Sequence, residues 1–128
     1  MAGPKLDGAG AVKMETLTTA QGMLARCHSI VEQIGVEVKG SRPIAGHVQT
    51  LKRAAVPLAS LLKGQYGMIA DVVTAMLLAA TRGGPDQMKL RSLREGIASI
   101  RMQLEIAEAK VLEKHAVPEG KADASDNV

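Results

Sequence analysis

Leu51–Gly64 reads LKRAAVPLASLLKG, and whether the chain builds four helices or five turns on this stretch. A proline inside a helix removes one backbone hydrogen bond and crowds the preceding turn, at a cost of about 3 kcal/mol. Pro57 therefore ought to end the helix. The apolar rhythm does not end there. Ile44, Val48, Leu51, Ala55, Leu58 and Leu62 keep alternating steps of four and three residues straight past Pro57, the spacing of one buried helical stripe. The pattern predicts a single helix from about Pro43 to Leu62, bent at Pro57, with Ser41 a candidate cap and KGQYG turning the chain after it.

On the N-terminal side, Leu17, Ala20, Leu24, Cys27, Val31 and Ile34 repeat at three- and four-residue steps. They predict a first helix that starts near Thr16, Thr18 or Thr19 as cap and loosens between Gly35 and Gly40. Residues 1–15 have no period and read as a flexible arm. On the C-terminal side, YGMIADVVTAMLLAAT (Tyr66–Thr81) predicts a third helix with almost no polar face, only Asp71, Thr74 and Thr81 interrupting it. Such a helix needs cover on more than one side, which predicts a subunit interface. After RGGPD, a fourth helix is predicted over Asp86–His115. Leu90, Leu93, Ile97, Ile100, Leu104, Ala107 and Val111 form its stripe, and Met102, Ile106 and Ala109 form a second apolar line. Residues 116–128 read as a disordered acidic tail. The fold class expected is all-α, with residues 16–115 forming an up-down antiparallel four-helix bundle that assembles as a homo-oligomer.

Composition points the same way. One Tyr, no Phe and no Trp leave a core of Leu, Ile, Val, Met and Ala, which suits closely packed helices better than a β-sandwich. No apolar run approaches the roughly 20 residues that span a membrane. No signal-peptide stretch stands at the N-terminus, and Cys27 is the single cysteine, so an internal disulfide is excluded. The expectation is a cytoplasmic, bacterial-type protein.

The residues that could carry chemistry are few. His28 and Glu32 have the four-residue spacing of helical metal ligands but lack a second pair, and no metal or cofactor is expected. Cys27 falls on the apolar stripe and reads as an inert buried thiol. Glu105, Glu108 and Glu113 alternate with Lys110 and Lys114 as surface pairs. Neither GAGAVK nor RGGPDQ is a phosphate loop. The seven methionines read as core filler, and no catalytic residue is predicted. What remains is charge. Arg42–Arg101 holds nine basic residues against three acids, a balance of +6. Arg91, Arg94 and Arg101 share one side of the fourth helix, and Lys52 and Arg53 project from the second. Those five are the candidate nucleic-acid-binding residues. Without an aromatic platform, binding would be directed at the backbone of RNA or DNA. The plainer alternative is arginines paired with neighbours such as Glu95 or Glu105.

LKRAAV, Leu51–Val56, and LREGIASIRMQLEIA, Leu93–Ala107, resemble two segments of a bacterial four-helix-bundle family. That family comprises the proteins encoded in 23S ribosomal RNA intervening sequences and the accessory variability proteins of diversity-generating retroelements. Leu51, Lys52, Arg53, Ala54, Ala55 and Val56 match its basic LRRAAV segment, and Gly96, Ser99, Gln103, Leu104, Ile106 and Ala107 match its last-helix segment. Where the family carries NIAEG, this chain has ASLLKG. The resemblance implies a homopentameric barrel with a positive surface that binds nucleic acid and a reverse transcriptase. Lys52 and Arg53 would face the anionic partner, and Pro57 would bend the second helix along the barrel. The competing expectation is a protein-interaction adaptor that docks a partner helix on its apolar third and fourth helices.

Overall fold

The Asp7 carboxylate opens the first helix by accepting a hydrogen bond from the Gly10 N–H at 2.6 Å, the arrangement that satisfies a free donor at a helix start. The computed structural model describes residues 5–117, and in it α1 runs over Gly8–Lys39, α2 over Ala45–Leu62, α3 over Gly67–Thr81 and α4 over Asp86–His115. The flexible-arm reading is thereby corrected. Residues 8–15 are helical, and none of Thr16, Thr18 and Thr19 is the cap. The start was hidden because Gly10, which is buried and continues the stripe seven residues before Leu17, has no apolar side chain to show in a periodicity. Its lack of a side chain is what lets it pack. A Cβ at Gly10 would collide with the Cβ of His115 at the end of α4. Residues 1–4 and 118–128 lie outside the described residues, and with them most of the predicted tail. Its first two residues are held: Ala116 bridges Leu6, and the Val117 N–H donates to the Lys5 carbonyl at 2.8 Å.

The other end of α1 falls at Lys39, inside the expected Gly35–Gly40 stretch. The Ser41 N–H donates to the Val38 carbonyl at 3.1 Å and the Arg42 N–H to the Glu37 carbonyl at 2.8 Å, the paired closure of a Schellman motif. Ser41 takes a left-handed φ of 57° to make it. Ser41 therefore ends α1 and does not cap α2, whose N-cap, Ile44, makes no side-chain hydrogen bond.

Proline 57 lies within an uninterrupted α2. Both Pro57 and Arg53, whose carbonyl loses its partner, are exposed, so the lost hydrogen bond falls on the outer side of α2 and not in the core.

Each helix packs on two others: α1 on α2 and α4, and α3 on α2 and α4. The backbones of α1 and α3, and those of α2 and α4, are not neighbours among the described residues and lie across the core from each other. The core between them is aliphatic apart from the sulfur side chains of Cys27 and Met76 and includes Leu17, Leu24, Leu51, Leu58, Leu93 and Leu104. The predicted stripes of α1, α2 and α4 supply it, with Ala107 only half-buried, and α3 adds Ile69, Ala70, Val73, Met76 and Ala80. Two parts of the core expectation are corrected. The second line on α4 is not buried, with Met102 56% and Ile106 48% exposed, and Ala109 lies open as well. The methionines divide: Met76 is core, Met14 and Met23 pack against it, while Met68, Met88 and Met102 face solvent. A third helix apolar nearly all round was expected to be covered on several sides. Within this chain α3 buries one face and leaves Met68 and Leu78 82% and 53% exposed.

Candidate binding surfaces

The five basic residues singled out in the sequence do not meet on one face. Lys52 and Arg53 stand on α2, and Arg91, Arg94 and Arg101 stand on α4, which lies across the core from α2 and is not its neighbour. On α4 the three arginines have different surroundings. The Arg94 guanidinium reaches across to α1, where its Nε lies 3.5 Å from Glu32 Oε2 and its Nη2 lies over Gly35. Arg91 pairs with Glu95 on its own helix at 3.2 Å. Arg101 is exposed and has no carboxylate within 4.0 Å among the described residues. Lys52 lines a groove and Arg53 faces open solvent, since adjacent residues on a helix diverge by about 100°. Two of the five are thus partly neutralised, and exposed pairs of this kind contribute little to stability.

The candidate metal pair resolves in the same way. His28 Nε2 is 3.8 Å from Glu32 Oε2, the same oxygen that Arg94 approaches. Among the described residues no group of three or more His, Cys, Asp or Glu side chains could hold a metal ion. Cys27 is fully buried, and burial pushes its thiol up to about 11, far from the lowered values of reactive cysteines. Burial likewise raises Tyr66, the single aromatic residue. Two carboxyls move the other way. Glu37 is lowered chiefly by the hydrogen bond from Arg42 at 2.8 Å. Asp7 is lowered first by the Gly10 N–H and then by His115, whose Nδ1 lies 3.1 Å from Asp7 Oδ1.

Two concavities flank α3. One, of about 420 Å³, runs between α2 and α3. Val56, Leu77 and Leu78 form its apolar wall, and Lys52, Lys63 and Asp71 its charges. The other, of about 450 Å³, lies where the first residues of α3 meet the last turns of α4 and the first of α1. Met68, Ile69, Ile106 and Val111 line it below Lys13, Lys110 and Lys114. The sequence signals Lys110 and Lys114 as an i, i+4 pair. It offers no signal that Lys13, nearly a hundred positions away, joins them. No described helix is long and apolar enough to cross a membrane. Comparison with family models, with curated proteins and with solved structures finds no match to this chain.

Proposed function

We propose that the protein is a non-enzymatic, up-down antiparallel four-helix bundle that works as an interaction module, assembling with further copies of itself through the groove between α2 and α3. The order of contacts between α1 and α4 supports the topology: Gly10 meets His115, Gln21 meets Glu108, and Glu32 meets Arg94. The observation that carries the assembly is the groove itself. Val56 and Leu78, 47% and 53% exposed, lie beside Lys52 and Lys63 on α2 and Asp71 on α3. A patch holding both charge signs around an apolar strip is self-complementary, as a two-fold contact requires, because the acid of one copy can meet a lysine of the next. The test is solution mass by light scattering. The wild type should run as a multiple of 13.4 kDa and Leu78→Asp as a monomer with unchanged helicity. A monomeric wild type overturns the reading.

A second reading keeps the nucleic-acid backbone as partner. It is favoured by Arg53 and Arg101, exposed and without a carboxylate within 4.0 Å among the described residues. Assembly would multiply such cations into one field. The homopentamer and the reverse-transcriptase partner implied by the family resemblance belong to this reading, as does Lys52 at the rim of the groove. Binding to short RNA and DNA should fall steeply with salt and weaken in Arg53→Gln/Arg101→Gln. Equal binding at low and high salt removes it. In the barrel that the resemblance implies, Pro57→Ala should stabilise α2 yet change the oligomer mass.

A further inference from the structure

The cavity at the meeting of α1, α3 and α4 combines two features that no single-helix surface would supply. Its apolar lining is made by Ile69 and Val111, which are buried, and by Met68 and Ile106, which are exposed. Its rim carries Lys13, Lys110 and Lys114, and no acidic side chain lines it. None of these three ammonium groups has a carboxylate within 4.0 Å among the described residues. At about 450 Å³ the space falls within the roughly 300–1,000 Å³ of small-molecule sites, which favour gaps between the helices of bundles.

One of the ammonium groups is also held in place. Lys13 Nζ donates to His115 Nε2 at 3.3 Å, and His115 Nδ1 donates to Asp7 Oδ1 at 3.1 Å. The bond to Asp7 fixes the tautomer that leaves Nε2 free to accept. Asp7 is itself fixed by the Gly10 N–H. The chain Asp7–His115–Lys13 therefore positions a positive charge at the mouth, and the first turn of α3 beside it has neither an acidic residue nor a side-chain cap.

We propose that this cavity binds a single-chain amphipathic anion, such as a fatty-acid carboxylate. The head group sits among Lys13, Lys110 and Lys114, and the hydrocarbon lies along Met68 and Ile106. An inorganic anion would leave the apolar lining unused. A neutral or cationic amphiphile would leave three unpaired ammonium groups at its head. The inference does not rest on the self-assembly through α2 and α3, which uses the other groove.

The test is calorimetric titration of the full chain with decanoate below its micellar concentration, with acetate and decyltrimethylammonium as matched probes. Methyl spectra of the methionines locate the site. One decanoate should bind per chain, with acetate and decyltrimethylammonium about tenfold weaker or worse. The Met68 methyl signal should move while that of Met88, at the start of α4, stays. Lys110→Gln/Lys114→Gln should lower decanoate affinity about tenfold with thermal unfolding unchanged. The proposal is overturned if decyltrimethylammonium binds as tightly as decanoate, if the lysine variant binds decanoate normally, or if Met88 moves in place of Met68.

Discussion

The seam between α1 and α4 and the seam between α2 and α3 both rest on buried apolar stripes, yet among the described residues only the first carries polar cross-links. Along α1 and α4, Asp7 and Lys13 meet His115, Gln21 Nε2 donates to Glu108 at 3.2 Å, and Glu32 meets Arg94. Among the described residues no side-chain hydrogen bond or ion pair joins α2 to α3. Polar contacts at long sequence separation discriminate between ways of pairing helices, because a shifted register leaves donors and acceptors unmatched. Apolar packing is less particular about its partner. The α1–α4 seam thus fixes which helices are neighbours, while α3, held by apolar packing, retains apolar side chains on its outer side for something else to cover.

The largest expected effect separates inner from outer leucines on the two helices of the apolar α2–α3 seam. Leu58 on α2 is wholly buried and Leu78 on α3 is half exposed. Leu58→Ala should cost about 2–5 kcal/mol, by loss of transfer energy and creation of a cavity. Leu78→Ala should leave unfolding of the single chain within about 0.5 kcal/mol of wild type, while weakening self-association. Chemical denaturation read beside solution mass checks both. A large stability loss at Leu78 without a change of mass would mean that its exposed face is not an interface.

Next in size is the contact that brings α3 onto α4 without any polar bond. A Cβ at Gly96 would lie 2.7 Å from Met76 Cγ and 3.0 Å from its Cβ, too near the Met76 backbone for the thioether to swing clear. Gly96→Ala should therefore cost about 1–3 kcal/mol through overpacking, and adding Met76→Ala should recover part of the loss, a coupling that a double-mutant cycle measures. If the two losses simply add, the glycine is not there for the close approach.

These helix stripes were readable because burial leaves a period in the chain. The α4 bounds, the passage of α2 through Pro57 and the burial of Cys27 all follow from that period. What escaped notice lacked an apolar side chain or a local partner. Gly10 continues the α1 stripe without looking hydrophobic, and Asp7 became a cap only because the helix began there. The cluster of Lys13 with His115 and Lys110 depends on which helices neighbour one another, which periodicity does not encode. For the same reason Lys52 and Arg53 could not be seen to stand on a helix that is not a neighbour of the one bearing Arg91, Arg94 and Arg101. The Met102–Ile106 line was misassigned because an apolar period marks a face to be covered, whether by this chain or by another molecule.

The polar seam should also show itself in acid. In the folded chain the Asp7 carboxyl is held below its ordinary 3.8, first by the Gly10 N–H and then by His115. A lowered folded value means that the unfolded chain binds the proton more readily. The contribution of Asp7 is therefore complete above the ordinary value and drains away as pH falls through it towards the lowered one. Asp7→Asn preserves the cap but removes this titration. The difference in Tm between wild type and Asp7→Asn should be full above the ordinary value of 3.8 and shrink as pH falls through it. A difference independent of pH would show that the carboxylate charge contributes nothing to the latch.

The smallest effect concerns the turn that separates the two kinds of seam. Ser41 holds a φ of 57° so that α1 can close onto Val38 and Glu37 before the chain enters α2. A left-handed conformation costs an L-residue about 1–2 kcal/mol, and glycine adopts it freely. Glycine also enlarges the conformational freedom of the unfolded chain, which offsets part of that gain. Ser41→Gly should thus raise stability by up to about 1 kcal/mol in chemical denaturation. Ser41→Ala tests the cause. It keeps the strain and loses only a hydroxyl that makes no side-chain hydrogen bond among the described residues, so it should sit at wild-type stability. If alanine stabilised as much as glycine, the gain would come from removing the hydroxyl, and the closure of α1 would not be where the strain lies.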